Sequence, residues 1–338
     1  MFRHQSYIYL LAFMVLFVAQ NKAFSCDLCA IYSSVESQKT EQGSLRLSLA
    51  EQYSIFDKIQ DSGKFVENVA GQKLSSSITQ VAASYDLTDK ISLQLNAPLI
   101  NRRFKRIEND AIKEGSESGL GDMTLIAKYD LFRSKEMDAT IDFEVFAGLK
   151  LPTGNSDRLK EELEEAEIHE DSLVFRHADH EHEGEGGIAN AIHGHDLALG
   201  SGSVDIPVGF SFFYQKQKAL VFASAQYMFR NSGDHSYEYA DDFNWRIEPA
   251  YYLMSEHDRT MTLGLGLSGE YKREDKGADG ESFGDTAVRS IYWGPQFRFI
   301  GSRNVSGEIG LDIPIDINNS ERQVVAAYRL RMGLTYRF

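Results

Sequence analysis

The last residues, YRLRMGLTYRF, constrain the chain more than any other stretch. Tyr328, Leu330, Met332, Leu334, Tyr336 and Phe338 alternate with Arg329, Arg331, Gly333, Thr335 and Arg337. Successive side chains of extended backbone point to opposite faces, so this segment is a strand with one apolar and one polar face. The same period returns along the chain. In RTMTLGLGLSGEY, Met261, Leu263, Leu265 and Leu267 alternate with Thr262, Gly264, Gly266 and Ser268. In DATIDFEVFAGLK, Ile141, Phe143, Val145, Ala147 and Leu149 oppose Asp142, Glu144 and Lys150.

This pattern places strands near 43–56, 72–87, 89–103, 120–133, 137–151, 200–215, 218–231, 243–255, 259–271, 286–300, 303–315 and 323–338. Most runs are longer than the 3–10 residues common in soluble sheets. A tilted strand needs about 9–11 residues to cross the hydrocarbon of a bilayer. Every second connection is short, with LTD, SKE, KQ, EHD and GS at their centres, and the others are mostly longer. That asymmetry belongs to outer-membrane barrels, with turns on the periplasmic side and loops outside. The expectation is therefore an all-β chain: a transmembrane antiparallel up-and-down β-barrel of about twelve strands in the bacterial outer membrane. Closure removes the sheet edges that lipid cannot hydrogen-bond.

The first 25 residues read as a secretory signal, with Arg3 and His4, the apolar core LLAFMVLFVA, and AFS at its end. Cleavage after Ser25 leaves Cys26 first. Cys26 and Cys29, the only two cysteines, are candidates for a local disulfide in an oxidising compartment; lipidation of Cys26 is the competing reading. Residues 26–42 form a periplasmic segment that could fold inward as a partial plug, and 43–338 form the barrel. The terminal strand ending at Phe338 is the expected signal to the barrel assembly machinery, and outer-membrane lipids are the expected surroundings. A net charge of −15 disfavours nucleic acid as a partner.

Three segments, GLGDMTLIAKYDL (119–131), GLKLPTG (148–154) and LGSGSVDIPVGFSFFY (199–214), resemble a family of outer-membrane proteins. That family is named for the meta-pathway of phenol degradation and is often labelled simply "transporter". The resemblance implies a barrel that passes small aromatic or apolar compounds. It brings no catalytic set, and no enzyme activity or required cofactor is expected.

With the apolar parity facing lipid, the other parity lines the lumen. Asp142, Glu144, Arg246, Glu248, Arg298, Glu308, Asp312, Arg329 and Arg331 are its candidate charged residues. Acids and bases are mixed, which suggests crossed ion pairs rather than a selectivity ring of one sign. The lumen could be a narrow pore for a small-molecule solute, a ligand pocket or a filled interior.

One connection, 152–199, is far longer than usual loops and should face the outside. Its segment 157–185 carries 12 acids against 3 bases, and a short helix is expected where Leu159, Leu163 and Ala166 share one side. His177, His180 and His182, then His193 and His195, have spacings that suit a divalent transition metal such as Zn, Cu or Ni in 157–196. The competing reading is a solvated acidic loop lying away from the lumen. Two functions follow: a channel or transporter with the loop as an accessory, or a metal-capturing surface protein with the barrel as its anchor.

Overall fold

The computed structural model describes residues 42–163 and 189–338, apart from 109–110, 137, 257–258, 279, 281, 302–303 and 320. The signal segment, Cys26, Cys29 and all but one residue of the segment 26–42 lie outside the described residues, as do His177, His180 and His182.

The first strands are β1 (Leu45–Asp61), β2 (Lys64–Val66), β3 (Lys73–Asp86), β4 (Ile91–Glu108), β5 (Ala111–Leu120), β6 (Met123–Lys135), β7 (Ala139–Leu151) and β8 (Ile206–Lys216). They are followed by β9 (Ala219–Phe229), β10 (Asp242–Ser255), β11 (Thr260–Lys272), β12 (Asp275–Lys276), β13 (Ser282–Phe283), β14 (Val288–Ile300), β15 (Val305–Asn319) and β16 (Gln323–Arg337). Leaving aside β2, β5, β12 and β13, twelve long strands run antiparallel in sequence order, and β16 pairs with β1 to close the barrel. The pairing of Leu49 with Leu334 and of Arg46 with Arg337 shows the seam in register.

The alternating residues sort as the period requires. Leu263 and Leu265 on β11 are each 47% exposed on the outer face, while Thr262 between their neighbours is buried. Leu49, Leu95, Leu125, Leu149, Ile247, Ile309 and Leu334 continue this apolar outer belt round the barrel. An apolar surface of that extent is tolerated only against lipid or a partner.

Two differences from the expected boundaries matter. The strand placed at 200–215 begins at Ile206, because 200–205 turn along the rim, with only Asp205 bridging to Lys150. The strands expected to end at 56 and 103 continue to Asp61 and Glu108. On β1 a bulge between Ile55 and Lys58 breaks the alternation that marked the strand. On β4 the run mixes apolar and charged residues on both faces, Phe104 with Arg106 and Ile107 with Lys105, and it is held by β5, a hairpin partner the period did not reveal.

All five short connections and the carboxyl end lie at one end of the barrel, here called the turn end. The long connections gather at the other, the loop end.

Candidate functional site

The inward parity of β10 to β16 joins six of the nine candidate lumen residues by ion pairs and brings a seventh, Arg329, onto Glu270. Arg298 on β14 reaches Glu248 on β10 at 2.6 Å and Glu308 on β15 at 3.2 Å. Arg246 lies 3.4 Å from Glu248 and 3.6 Å from Asp312. Arg331 binds Asp312 at 2.7 Å and donates to Gln296 at 3.0 Å. Arg329 forks onto Glu270 and stacks over the Tyr292 ring at 4.3 Å. The remaining two, Asp142 and Glu144 on β7, lie apart from this network, and Arg133 pairs with Asp142 at 2.7 Å and with Asp130 at 3.1 Å.

Glycine makes the long reach possible. A Cβ on Gly264 would stand 2.8 Å from Glu248 Oε1, and one on Gly266 would collide with Arg246 and Gln296. The inward face of β11 is therefore recessed, and side chains of β10 and β14 meet above it. Buried charges are tolerable only when paired in this way. Glu270, Gln296 and Arg133 were not among the candidates. Glu270 and Gln296 share the inward parity of Ser268 and Arg298 inside the expected strands, so that parity already marks them; Arg133 has the other parity and meets Asp142 through the register shift between Asp130 and Phe132.

The three segments that carried the family resemblance converge at the loop end of β6, β7 and β8. Asp122 Oδ2 accepts hydrogen bonds from Lys150 Nζ at 2.8 Å and from the Ser201 amide at 2.9 Å, and Asp122 Oδ1 accepts one from the Gly154 amide at 3.0 Å. Lys150 also pairs with Asp205 at 2.7 Å, Arg230 with Asp205 at 3.0 Å, and Arg230 with Asp242 at 2.7 Å. This chain of charges ties the two feet of the long loop together. A Cβ on Gly200 would lie 2.6 Å from the backbone of Gly154 and 2.7 Å from Asp122, so only glycine permits that approach.

From this foot the returning arm of the loop crosses the barrel mouth, which corrects the expectation that it lies away from the lumen. Leu199 packs on Ile78 and Ile100, inward residues of β3 and β4. Ala191, Ile192 and Leu197 are fully buried against Ile59, Leu74, Phe104 and Val324. On the far wall the Val324 amide donates to Ala191 O at 2.9 Å, and Gln72 exchanges hydrogen bonds with Ala189 and Ala191. The physical reason is burial, since a fully buried Leu or Ile is worth roughly 1.5–3 kcal/mol.

The outgoing arm helps to hold the returning one. Residues 159–163 are helical, as expected, and Leu159 is buried with Ala198, Tyr237 and Tyr239 while Leu163 packs alongside. Beside them Glu162 accepts hydrogen bonds from the amide and the Nδ1 of His195, both at 3.0 Å. Asp196 faces His195 Nε2 at 3.4 Å. Burial opposes the charged imidazole, but Asp196 and Glu162 outweigh it and raise the His195 pKa well above its ordinary value of 6.5. Burial likewise opposes charge on Glu162, and the His195 ion pair holds its carboxyl below its ordinary value.

The two described histidines of the loop therefore serve its packing. Their rings stack with centroids 6.0 Å apart, and the ring of His195 is buried between acids. Among the described residues no group of three His, Cys, Asp or Glu side chains is arranged to hold a metal ion.

An outer membrane channel from Pseudomonas putida F1 superposes with a TM-score of 0.63, at 18% identity, over 91% of this chain and all of that one. This chain has the fold of an outer-membrane β-barrel. The β domain of the Bordetella autotransporter BrkA superposes with a TM-score of 0.42 at 9% identity, over 88% of this chain and all of that one. The monoaromatic hydrocarbon channel CymD gives 0.38 at 7%, over 88% of each chain. At those scores the likeness is that of barrels in general. No family model matches the sequence, and no curated protein does either.

Proposed function

We propose that this outer-membrane barrel is a channel for small solutes, aromatic or apolar compounds among them, with the loop end facing outside and closed by the arm 189–205. The observation that carries the reading is the arm itself. It spans the mouth from the Asp122–Lys150 foot to Val324 and Gln72 on the opposite wall. A barrel serving only as an anchor has no need of a polar lumen with its own fitted closure. Solute passage then requires the arm to shift from the mouth while the feet of the loop stay tied.

Three features support this reading: the channel-like fold, the polar interior and the resemblance of the motif segments. The test is single-channel recording in planar bilayers on the intact chain and on a variant lacking 157–196. The intact chain is expected to show small or intermittent conductance, and the deletion a larger, steadier one. Folded, inserted barrels that stay silent in both forms would refute the proposal.

A further inference from the structure

We infer that the barrel holds a binding site for a short-chain carboxylate directly beneath the arm, with Arg102 as its anion receptor. This deepens the channel reading by naming a solute class for one site within it. Arg102, on β4, is 2% exposed. Its Nη1 donates to the carbonyl oxygens of Asp196 and Ala198 in the arm. Its Nε has no hydrogen-bond partner among the described residues. The acid nearest in register, Glu117 on β5, is taken by Arg158. A guanidinium is charged at any physiological pH, and leaving such a charge buried without an anion is expensive.

Arg102 borders a cavity of about 80 Å³. Phe56, Leu74, Val324, Val325 and Ala326 give it an apolar wall. The other bases on its lining already have acids. Lys272 is paired with Asp275, Arg329 with Glu270, and His195 with Glu162. Asp196 also borders the cavity, but its carboxylate is turned to the His193 amide at 3.0 Å and to the His195 ring. Among the described residues, the base on this lining that has no carboxylate partner is Arg102.

A planar fork of N–H donors suits a carboxylate, and the apolar wall suits a short hydrocarbon tail. Size sets the upper bound. A cavity of about 150 Å³ is known to admit benzene, so one of about 80 Å³ selects a chain of a few carbons over an aromatic acid. A ligand here would sit against the two carbonyls through which Arg102 holds the arm, which links occupancy to the closure.

Butyrate and its neutral isostere butyramide are the probes, titrated calorimetrically into the intact folded protein. Butyrate is expected to bind at one site, and butyramide at least tenfold more weakly. Arg102→Gln should weaken butyrate at least tenfold, and Arg102→Lys less. Ala326→Phe, which fills the cavity without touching a charge, should abolish binding. The inference fails if wild type does not bind butyrate, if butyramide binds within threefold of it, or if Arg102→Gln binds as wild type does. Should Arg102→Gln not fold, the wild-type pair of titrations and Ala326→Phe still decide. Conductance is recorded separately: an ion-conducting barrel that ignores butyrate removes this site alone, and a silent barrel that binds butyrate removes only the channel.

Discussion

Glu248 on β10 binds Arg298 on β14 at 2.6 Å across β11, the strand that lies between them. The contact exists because Gly264 on β11 presents no side chain inward. It joins two strands that share no backbone hydrogen bonds, and so braces the barrel interior where the sheet itself cannot.

Removing one partner of such a pair leaves a buried charge, at a cost of about 3–5 kcal/mol. Glu248→Gln is therefore expected to lower the urea midpoint of the detergent-folded barrel clearly, although Arg298 keeps Glu308. Arg298→Met in the same background should recover part of the loss. If the single variant unfolds at the wild-type midpoint, the pair contributes nothing.

The outer belt gives a second expectation. Leu265 lies at the centre of β11 and faces outward. Leu265→Arg is expected to cost about 2–4 kcal/mol in a bilayer, the figure for a cation near the midplane. Reversible unfolding in lipid vesicles measures it, and a cost near zero would place Leu265 outside the hydrocarbon.

Closure of the mouth should depend on pH through His195 and Glu162. The raised pKa of His195 means its contribution is complete below its ordinary 6.5 and is lost as pH climbs through the folded value. The lowered pKa of Glu162 means its contribution is complete above its ordinary 4.5 and is lost as pH falls through the folded value. The arm is thus held best between those ordinary values and loosens on either side. Protease cleavage within 189–199, followed against pH, should be slowest in that window. His195→Asn should flatten the alkaline limb, and an unchanged limb would discount the pair.

At the seam, the Phe338 amide donates to Leu45 O at 2.9 Å, and the Phe338 ring meets Tyr336 edge-on at 4.8 Å. If Phe338 is read by the assembly machinery, deleting it should cut the yield of folded barrel in cells several-fold. The same variant refolded in detergent should keep nearly the wild-type midpoint. Equal losses in both settings would make its role structural.

How far the sequence reached differs from element to element. Alternation marked all twelve barrel strands, because an inward polar face and an outward apolar face impose a period of two on every one. The same parity singled out Arg246, Glu248, Arg298, Glu308, Asp312, Arg329 and Arg331 as inward-facing. It could not show that Glu248 and Arg298 meet across β11, since that depends on register and on the recess at Gly264 and Gly266. Nor did it distinguish Asp142 and Glu144, which obey the same parity on a different wall.

The loop shows where local pattern stops. Ile192, Leu197 and Leu199 follow no period, and the histidines beside them look like metal ligands when only their spacing is known. Burial decides their role: the arm folds into the mouth because inward residues of β3, β4 and β16 offer it an apolar floor, and the Glu162–His195 pair fixes it there. Sequence alone determined that this chain is a closed barrel with a polar interior, because a two-residue period and the ban on open edges in lipid leave no other solution. Tertiary structure alone decided that the barrel is closed at one end by its own loop and that Arg102 lies beneath it with no carboxylate partner among the described residues. Those facts rest on contacts between residues some hundred positions apart, which no local pattern records.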